Sequence, residues 1–288
     1  MTFDTDTIIR LLTMIALGGL LFTTGLRLTW AEIAASLRQN HLGWVLPLNF
    51  ILVPALALGL TRMFQLPTDL AAGMVLLAAA PFAPVVPVFA RMARADLALA
   101  GALTGLFPFL SAFLTPIVCE LTLRPLLATA SLKFNIGSIL IVLVSTITLP
   151  LAAGVVIRHC RPQIGHRLLR PCEVISEAAG TISLIFVTVV EFQTIRQTGG
   201  RALFVMALLS ELSFFAGYFL SGPDRAARFV VGVGTANRNI ALALLVAVAS
   251  FPGTPIVAAV VANGLLLIGL GLLHVGFWRF VKPAPGSV

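Results

Sequence analysis

Residues 231–245 read VGVGTANRNIALALL and place three polar side chains, Asn237, Arg238 and Asn239, between two apolar runs. The surrounding segment, 226–251, is bounded by arginines and a Pro-Gly pair. At about 1.5 Å per residue it is long enough to cross a hydrocarbon core of about 30 Å. A guanidinium at the midpoint costs about 3 kcal/mol or more unless it faces a polar cavity or a partner. The glycine-rich polar break therefore predicts a discontinuous helix whose freed backbone groups bind a solute at mid-membrane depth.

The composition is that of a polytopic membrane protein. The 288 residues are 59% hydrophobic and 10% charged, with a mean hydropathy of +1.04. At about 20 residues per span, the length predicts about nine transmembrane helices in one transmembrane domain, 1–288, without a soluble domain. The first apolar run follows acidic residues and is too long for a signal peptide, so we expect no cleaved segment. The net charge of +8 is spread over short loops, which predicts the lipid bilayer rather than nucleic acid as partner.

The predicted spans alternate with short charged loops. Of the nineteen Lys and Arg residues, twelve fall in loops on one side and six on the other. The positive-inside rule then puts the N-terminus outside and the C-terminus in the cytoplasm, and we expect a bacterial inner membrane. The basic segment 158–170 is the expected loop between a first half of about 1–125 and a second half of about 135–282. The nine spans are predicted at 7–28, 43–63, 68–90, 97–120, 135–157, 173–195, 202–220, 226–251 and 254–278.

The third span is the second irregular one. Residues 78–87 read AAAPFAPVVP, and each of the three prolines removes a backbone donor and disfavours helix before it. This span is therefore predicted to be broken as well. Spans three and eight hold equivalent places in the two halves if one leading span is absent. Paired broken helices predict an inverted-repeat transporter with the substrate site where the two breaks cross.

Other polar residues lie within predicted spans. Glu211, at the centre of span seven, is a candidate proton-titrating group, a counter-ion of Arg238 or a structurally paired neutral carboxyl. Asn49, Thr104 and Asn263 carry groups that usually make interhelical hydrogen bonds.

No pattern in the sequence indicates catalysis. The three cysteines lack metal-site spacing, so neither a metal site nor a cofactor is predicted. The four histidines fall at loops or helix ends, whereas an intramembrane enzyme needs paired acids, a histidine cluster or an activated nucleophile. A channel has no need of two crossing broken helices. We therefore expect a transporter and not an enzyme.

In order and spacing, three stretches resemble the bile acid:sodium symporter family over nearly the whole chain. Pro81 to Pro116 resembles one crossover helix and the helix after it, Leu48-Asn49-Phe50 with Pro54 resembles an amide-bearing segment, and Gly234 to Leu242 resembles the other crossover. The resemblance implies a panel domain and a core domain, with the core formed by spans 43–120 and 202–278. The first span resembles the second helix of ten-helix members, which implies a nine-helix form.

The sequence departs from the family at the sodium sites that the resemblance implies. A first site would need side-chain oxygens and an acid where this chain has Val86, Pro87, Ala100, Thr104 and Gly234. A second site would fall on Asn49, Gly234, Thr235, Asn237 and Arg238. Sodium prefers several hard oxygen ligands, and a glycine, a proline and a guanidinium supply no such side chain. Bound sodium is therefore not expected, although it stays possible.

The central hypothesis is that Arg238 is a built-in cation in place of sodium. It either keeps the crossover folded or pairs an anionic substrate directly. The predicted function is secondary transport of an organic anion on its own gradient, by exchange, or with protons through Glu211. The predicted binding residues are Asn49, Thr104, Thr235, Asn237, Arg238 and Asn239.

Two other transport functions stay open. One is a sodium-coupled symporter with ligands among Asn49, Thr104, Thr235, Asn239 and backbone carbonyls. The other is an arsenite-type efflux permease, which would need a thiolate near the breaks, whereas Cys119 lies at the end of span four. The sequence leaves the oligomeric state open.

Overall fold

A computed structural model describes residues 5–27, 42–127 and 135–281, and the chain is helical and free of strands throughout these ranges. We number the helices in chain order. They are α1 Thr5–Arg27, α2 Val45–Met63, α3 Thr68–Ala78, α4 Val86–Ala93, α5 Leu97–Leu127, α6 Ile136–Cys160, α7 Pro162–Val190, α8 Phe192–Arg196, α9 Gly199–Leu220, α10 Arg225–Ala236, α11 Ile240–Ser250 and α12 Ile256–Phe280.

The predicted all-α polytopic membrane fold is confirmed. Within the described ranges, eight helical segments are long and apolar enough to cross a membrane, with α10 and α11 counted together as Arg225–Ser250. The remaining predicted span, 68–90, is present as the two short helices α3 and α4. The chain is therefore an integral membrane protein, and both irregular spans are broken where their glycines, prolines and polar residues predicted.

One group of helices packs together beside the crossing. Helices α1, α6 and α7 contact one another, and the backbones of α1 and α6 approach so closely that a Cβ on Gly154 would lie 2.3 Å from the carbonyl oxygen of Phe22. The hydroxyls of Thr13 on α1 and Ser183 on α7 are 2.9 Å apart in a hydrogen bond. These helices are the predicted spans one, five and six, which lie outside the predicted core; the division into two halves stays a prediction.

The broken eighth span is enclosed by the other helices. In its most apolar window 89% of the residues are buried, against at most 61% for the other described spans. Helix α9 packs along α10, where a Cβ on Gly217 would lie 2.7 Å from the hydroxyl of Thr235. The segment with the polar break is therefore central and does not face lipid.

The structure corrects the expectation of a basic loop at 158–170, because this segment is helical. Helix α6 runs to Cys160 and α7 begins at Pro162, so Arg161 alone separates them. Proline fits the first turn of a helix because the N–H that it lacks would have no helical partner there. Most charged side chains of this region are exposed or half-buried, so the helix continues beyond the apolar run without burying them.

Candidate binding site at the helix crossing

The two helix breaks meet and bond to each other. Residues 79–85 join α3 to α4, and residues 237–239 join α10 to α11. The N–H of Ala83 donates to the carbonyl of Asn237 at 2.9 Å, and the N–H of Asn239 donates to the carbonyl of Ala80 at 2.8 Å. Backbone groups freed by each break thus satisfy those of the other, as buried backbone requires. This is the crossing of discontinuous helices that the sequence predicted.

The first break follows from its prolines and one strained residue. Pro81 and Pro84 have no N–H to continue the helix. Between them Phe82 has φ of +57°, in the left-handed region that costs a residue with a Cβ about 1 kcal/mol or more. On α5, Thr115 donates its hydroxyl to the carbonyl of Ala79 at 2.8 Å. The neighbouring helix therefore satisfies a carbonyl that the break frees.

The second break is held by its own asparagines. Asn239 is the N-cap of α11, where its Oδ1 accepts from the N–H of Leu242 at 3.0 Å. Asn237 donates its Nδ2 to the carbonyl of Val233 at 3.0 Å, at the end of α10. Short amide side chains compete with helical backbone bonds in this way, which favours helix ends over helix interiors.

Arg238 is buried between the two asparagines, with 4% of its surface exposed. Its Nη1 donates to the carbonyl of Asn49 at 3.4 Å, whereas Nε and Nη2 have no hydrogen-bond partner. Within the described ranges no carboxylate lies within ion-pair distance of this guanidinium. Glu211, the candidate counter-ion named from the sequence, instead contacts His274, with 3.1 Å between Oε2 and Nε2. The described hydrogen-bond partner of the Arg238 guanidinium is thus a backbone carbonyl and not a carboxylate.

Asn49 ties α2 to the crossing. It lies in a π-helical turn, Leu48–Leu52, a distortion that often occurs at functional positions. Its buried Nδ2 donates to the carbonyl of Val45 at 2.9 Å and to the hydroxyl of Thr235 at 3.3 Å, and its Oδ1 has no partner. The carbonyl of Asn49 also accepts from Arg238. Asn49, Thr235 and Arg238, three of the predicted site residues, therefore form one hydrogen-bonded cluster.

A small void adjoins this cluster on the side of α9 and α12. Its volume of about 10 Å³ is that of a single water site, and it is lined by Arg238, Ser210, Ser213 and Asn263. The Oδ1 of Asn263 lacks a partner, as do Nε and Nη2 of Arg238, and all three atoms have almost no accessible surface. Nε and Nη2 of the guanidinium are therefore closed off from open space, although Arg238 lines the larger cavity as well as this void.

A larger cavity lies on the opposite side, between the crossing and helices α1 and α7. Its volume is about 280 Å³, and most of its lining is apolar. The first turn of α11 contributes Ile240 and Ala241, whose N–H groups have no bonding partner among the described residues. The Nδ2 of Asn239, another lining residue, is also unpaired. A helix N-terminus with free donors beside an apolar wall favours an anion with an apolar body.

An aromatic stack fills the position where the family resemblance implied an acid. A Cβ on Gly234 would lie 2.2 Å from the ring of Phe82. That ring stacks on Phe107 with 4.3 Å between centroids, and Phe107 stacks on Phe50 at 5.7 Å. No side chain larger than glycine fits at Gly234 without displacing Phe82.

The structure brings most of the predicted site residues together. Hydrogen bonds join Asn49, Thr235 and Arg238, and the backbone of Asn237 and Asn239 forms the crossing itself. Thr104 on α5 lines neither the cavity nor the void, and its hydroxyl has no partner in the described structure.

Sequence reasoning missed three residues at the site. Phe82 was not predicted because one apolar residue in an apolar span gives no signal. Thr13 and Ser183 line the cavity from α1 and α7. Single hydroxyls in spans are common, so no sequence signal distinguishes these two.

A membrane protein with two broken helices that cross beside a mid-membrane cavity is built as a secondary transporter. The profile of the Sodium Bile acid symporter family matches residues 14–198, and the chain belongs to this family of membrane transporters. It is 22% identical over 273 residues to the probable sodium/metabolite cotransporter BASS2, chloroplastic, of Oryza sativa subsp. japonica. The alignment covers 92% of this chain and 63% of that relative, so the chain spans less than two thirds of the relative's length.

Proposed function

We propose that this protein is a secondary transporter that carries a small organic anion without a bound sodium ion. The observation that supports this most strongly is the position of Arg238, whose fixed positive charge lies buried at the crossing beside Asn49. A cation tethered to the chain supplies the charge that a bound ion would supply, and needs no ion gradient. Of the two predicted roles for Arg238, keeping the crossover folded fits better: Arg238 also lines the cavity, but its Nη1 bonds the carbonyl of Asn49 and its Nε and Nη2 have almost no accessible surface.

The substrate in this proposal binds in the 280 Å³ cavity. This volume is at the lower end of the range of about 300–1,000 Å³ for ligand pockets, which favours a compact anion over a steroid. The anionic group would accept hydrogen bonds from the N–H groups of Ile240 and Ala241, and from Nδ2 of Asn239 once that buried side chain turns into the cavity. The apolar body would lie against α1 and α7.

The alternative is a sodium-coupled symporter with rearranged ligands. Two observations favour it: the unpaired oxygens of Asn49, Thr104 and Asn263, and the similarity to a relative described as a probable sodium/metabolite cotransporter. Sodium binds clustered oxygens, and Gly234 has no carboxylate to strengthen such a site. We therefore rank this alternative second.

Uptake by the reconstituted full-length protein tests the proposal. Labelled p-toluenesulfonate and benzoate are suitable probes, because both are compact anions with apolar bodies, and the sulfonate has no neutral form that crosses the bilayer unaided. We expect the same initial uptake rate in sodium and choline media. Uptake that requires sodium supports the symporter, and the absence of uptake of either probe in both media contradicts the anion proposal.

The variant Arg238→Gln tests the role of the guanidinium. We expect it to reduce uptake at least about tenfold, since about 1.4 kcal/mol of lost interaction has that effect. The matched control is Arg91→Gln, which removes an exposed arginine near the far end of α4. Equal rates for the wild type and Arg238→Gln would contradict the role assigned to Arg238.

A further inference from the structure

A second groove, separate from the crossing cavity, contains the acid and imidazole of Glu211 and His274. It has a volume of about 290 Å³ and lies among α9, α10 and α12. The Oε2 of Glu211 is 3.1 Å from Nε2 of His274, and the two side chains are 37% and 14% exposed. The Nδ1 of His274 is buried without a partner. A carboxyl–imidazole pair inside a membrane-spanning bundle is costly to maintain for packing alone.

The groove connects this pair to the ends of the helices. Its lining continues from His274 along α12 to Trp278 and to Val281, just beyond the helix end. At about 1.5 Å per residue, His274 lies about 10 Å from that end. Arg225, at the first turn of α10, lines the same mouth. Protons therefore reach the pair from the membrane surface on that side.

The arginines near the groove are held at its mouth by aromatic rings and backbone carbonyls, and not by Glu211. The guanidinium of Arg225 stacks on Trp278 at 4.9 Å and donates to the carbonyl of Val281 at 3.3 Å. That of Arg228 stacks on Tyr218 at 5.8 Å and donates to the carbonyl of Gly222 at 2.8 Å.

The other charged groups on elements packed against α9 and α12 are absent from the groove lining. They are Arg62, Asp69, Arg91, His166, Arg167, Arg170, Glu173, Glu177, Glu191, Arg196, Arg201, Asp224, Arg238 and Arg279. Glu211 and His274 are thus each other's only ionisable partner in the described structure.

The pair is in mechanical contact with the crossing. The ring of His274 is stacked on Phe214 with 4.0 Å between centroids and 5° between planes. The same Phe214 packs against Gly232 of α10, where a Cβ would lie 3.1 Å from the carbonyl oxygen of Phe214 and 3.2 Å from its ring. Gly232 is one turn before Ala236, the last residue before the break. A shift of the imidazole would therefore reach the half-helix that ends at Ala236.

We propose that Glu211 and His274 form a proton-binding site that couples the proton gradient to anion transport. The coupling part rests on the proposed function, whereas proton binding does not. One proton enters through the groove from one side of the membrane, is held between the carboxyl and the imidazole, and is released to the other side when transport exposes the pair there. Symport of one proton with one monoanion is electroneutral, so a gradient of one pH unit would sustain about a tenfold accumulation of anion.

The test is the thermal midpoint of the purified full-length protein in detergent, measured without any anion from about pH 5 to 8, where histidine titrates. We expect the pH-dependent part of the midpoint to fall by about half or more in Glu211→Gln and His274→Gln. The matched controls Glu177→Gln and His166→Gln, both exposed positions on α7, should retain the wild-type profile.

A merely structural contact would give another result. The two variants would then lose the same stability at every pH and keep the wild-type pH dependence, which would overturn the proposal. If only one of the two variants folds, the pH profile of its thermal midpoint is sufficient to decide. If neither folds, ring nitrogen spectra of wild-type protein with labelled histidine decide, and the absence of a titrating imidazole beyond the signals of the exposed histidines overturns it.

The same titration with p-toluenesulfonate tests coupling. Binding linkage is reciprocal, so the stabilisation by the anion should change with pH in the wild type and lose that change in Glu211→Gln. Stabilisation that is independent of pH in the wild type overturns coupling. If the anion does not stabilise at any pH, the proposed function fails for this probe, while the titration without anion still decides proton binding.

Discussion

At the scale of single residues, the crossing depends on what fills the space next to it. The ring of Phe82 lies over Gly234, and the guanidinium of Arg238 occupies the polar side next to Asn49. A buried arginine without a carboxylate partner is costly unless dipoles surround it. Here the carbonyl end of α10, which carries a partial negative charge, precedes Arg238 directly. The residue is thus favoured where a bound cation would also be favoured.

Gly234→Ala tests the aromatic stack. The added Cβ would lie 2.2 Å from Phe82, which itself is wedged against Phe107, so overpacking should destabilise the protein by about 1–3 kcal/mol. The matched control is Gly101→Ala in α5, where a Cβ meets nothing within 4 Å and helix propensity should add up to about 1 kcal/mol. Thermal midpoints measure both. A stability unchanged in Gly234→Ala would contradict this account of the ring.

Some site residues could be predicted from the sequence and others could not. Three polar residues in an apolar span stand out, so Asn237, Arg238 and Asn239 were selected directly. Phe82 is apolar like the rest of its span, so it does not stand out in the sequence. Glu211 and His274 lie 63 positions apart in the chain, so their pairing depends on how two separate helices are rotated about their axes. Hydropathy indicates that a helix is present, but it does not indicate which face of that helix packs against a neighbouring helix.

At the scale of helices, the crossing separates two kinds of charge. The carbonyl ends of α3 and α10 meet near Arg238, and the N–H end of α11 opens onto the cavity. Helix dipoles therefore favour a cation on one side of the crossing and an anion on the other. Both breaks could be predicted, because glycine, proline and asparagine disfavour helix interiors. The extension of α7 back to Pro162 could not, since hydropathy does not detect a polar, amphipathic continuation of a helix.

Substitutions of Asn239 separate capping from anion binding. Asn239→Ala removes the cap of α11 and should lower stability by about 1 kcal/mol. Asn239→Asp keeps a capping oxygen but replaces the free Nδ2 donor with a negative charge, so we expect stability to be retained and stabilisation by p-toluenesulfonate to be lost. The matched control Asn135→Ala removes an equivalent cap from exposed α6 and should leave the anion effect intact. An anion effect that survives in Asn239→Asp would contradict the assigned binding group.

At the scale of the whole molecule, the cavity lies between two bodies of helices. Helices α1 and α7 supply one wall and the crossing supplies the other, so sliding of one body against the other would change access to the cavity. The sequence predicted the crossing element but not this wall, because the wall has few polar residues. The proposed proton site lies in the same body as the crossing and moves with it.

The measurement that tests the central claim most directly is the thermal midpoint of the purified protein in sodium chloride and in choline chloride at matched ionic strength. A ligand that binds only the folded state adds about 2.7 kcal/mol at one hundred times its dissociation constant. With Arg238 in the place of a bound cation, we predict the same midpoint in both salts, and a lower midpoint in Arg238→Gln in both. A rising, saturable midpoint with sodium in the wild type would contradict the claim.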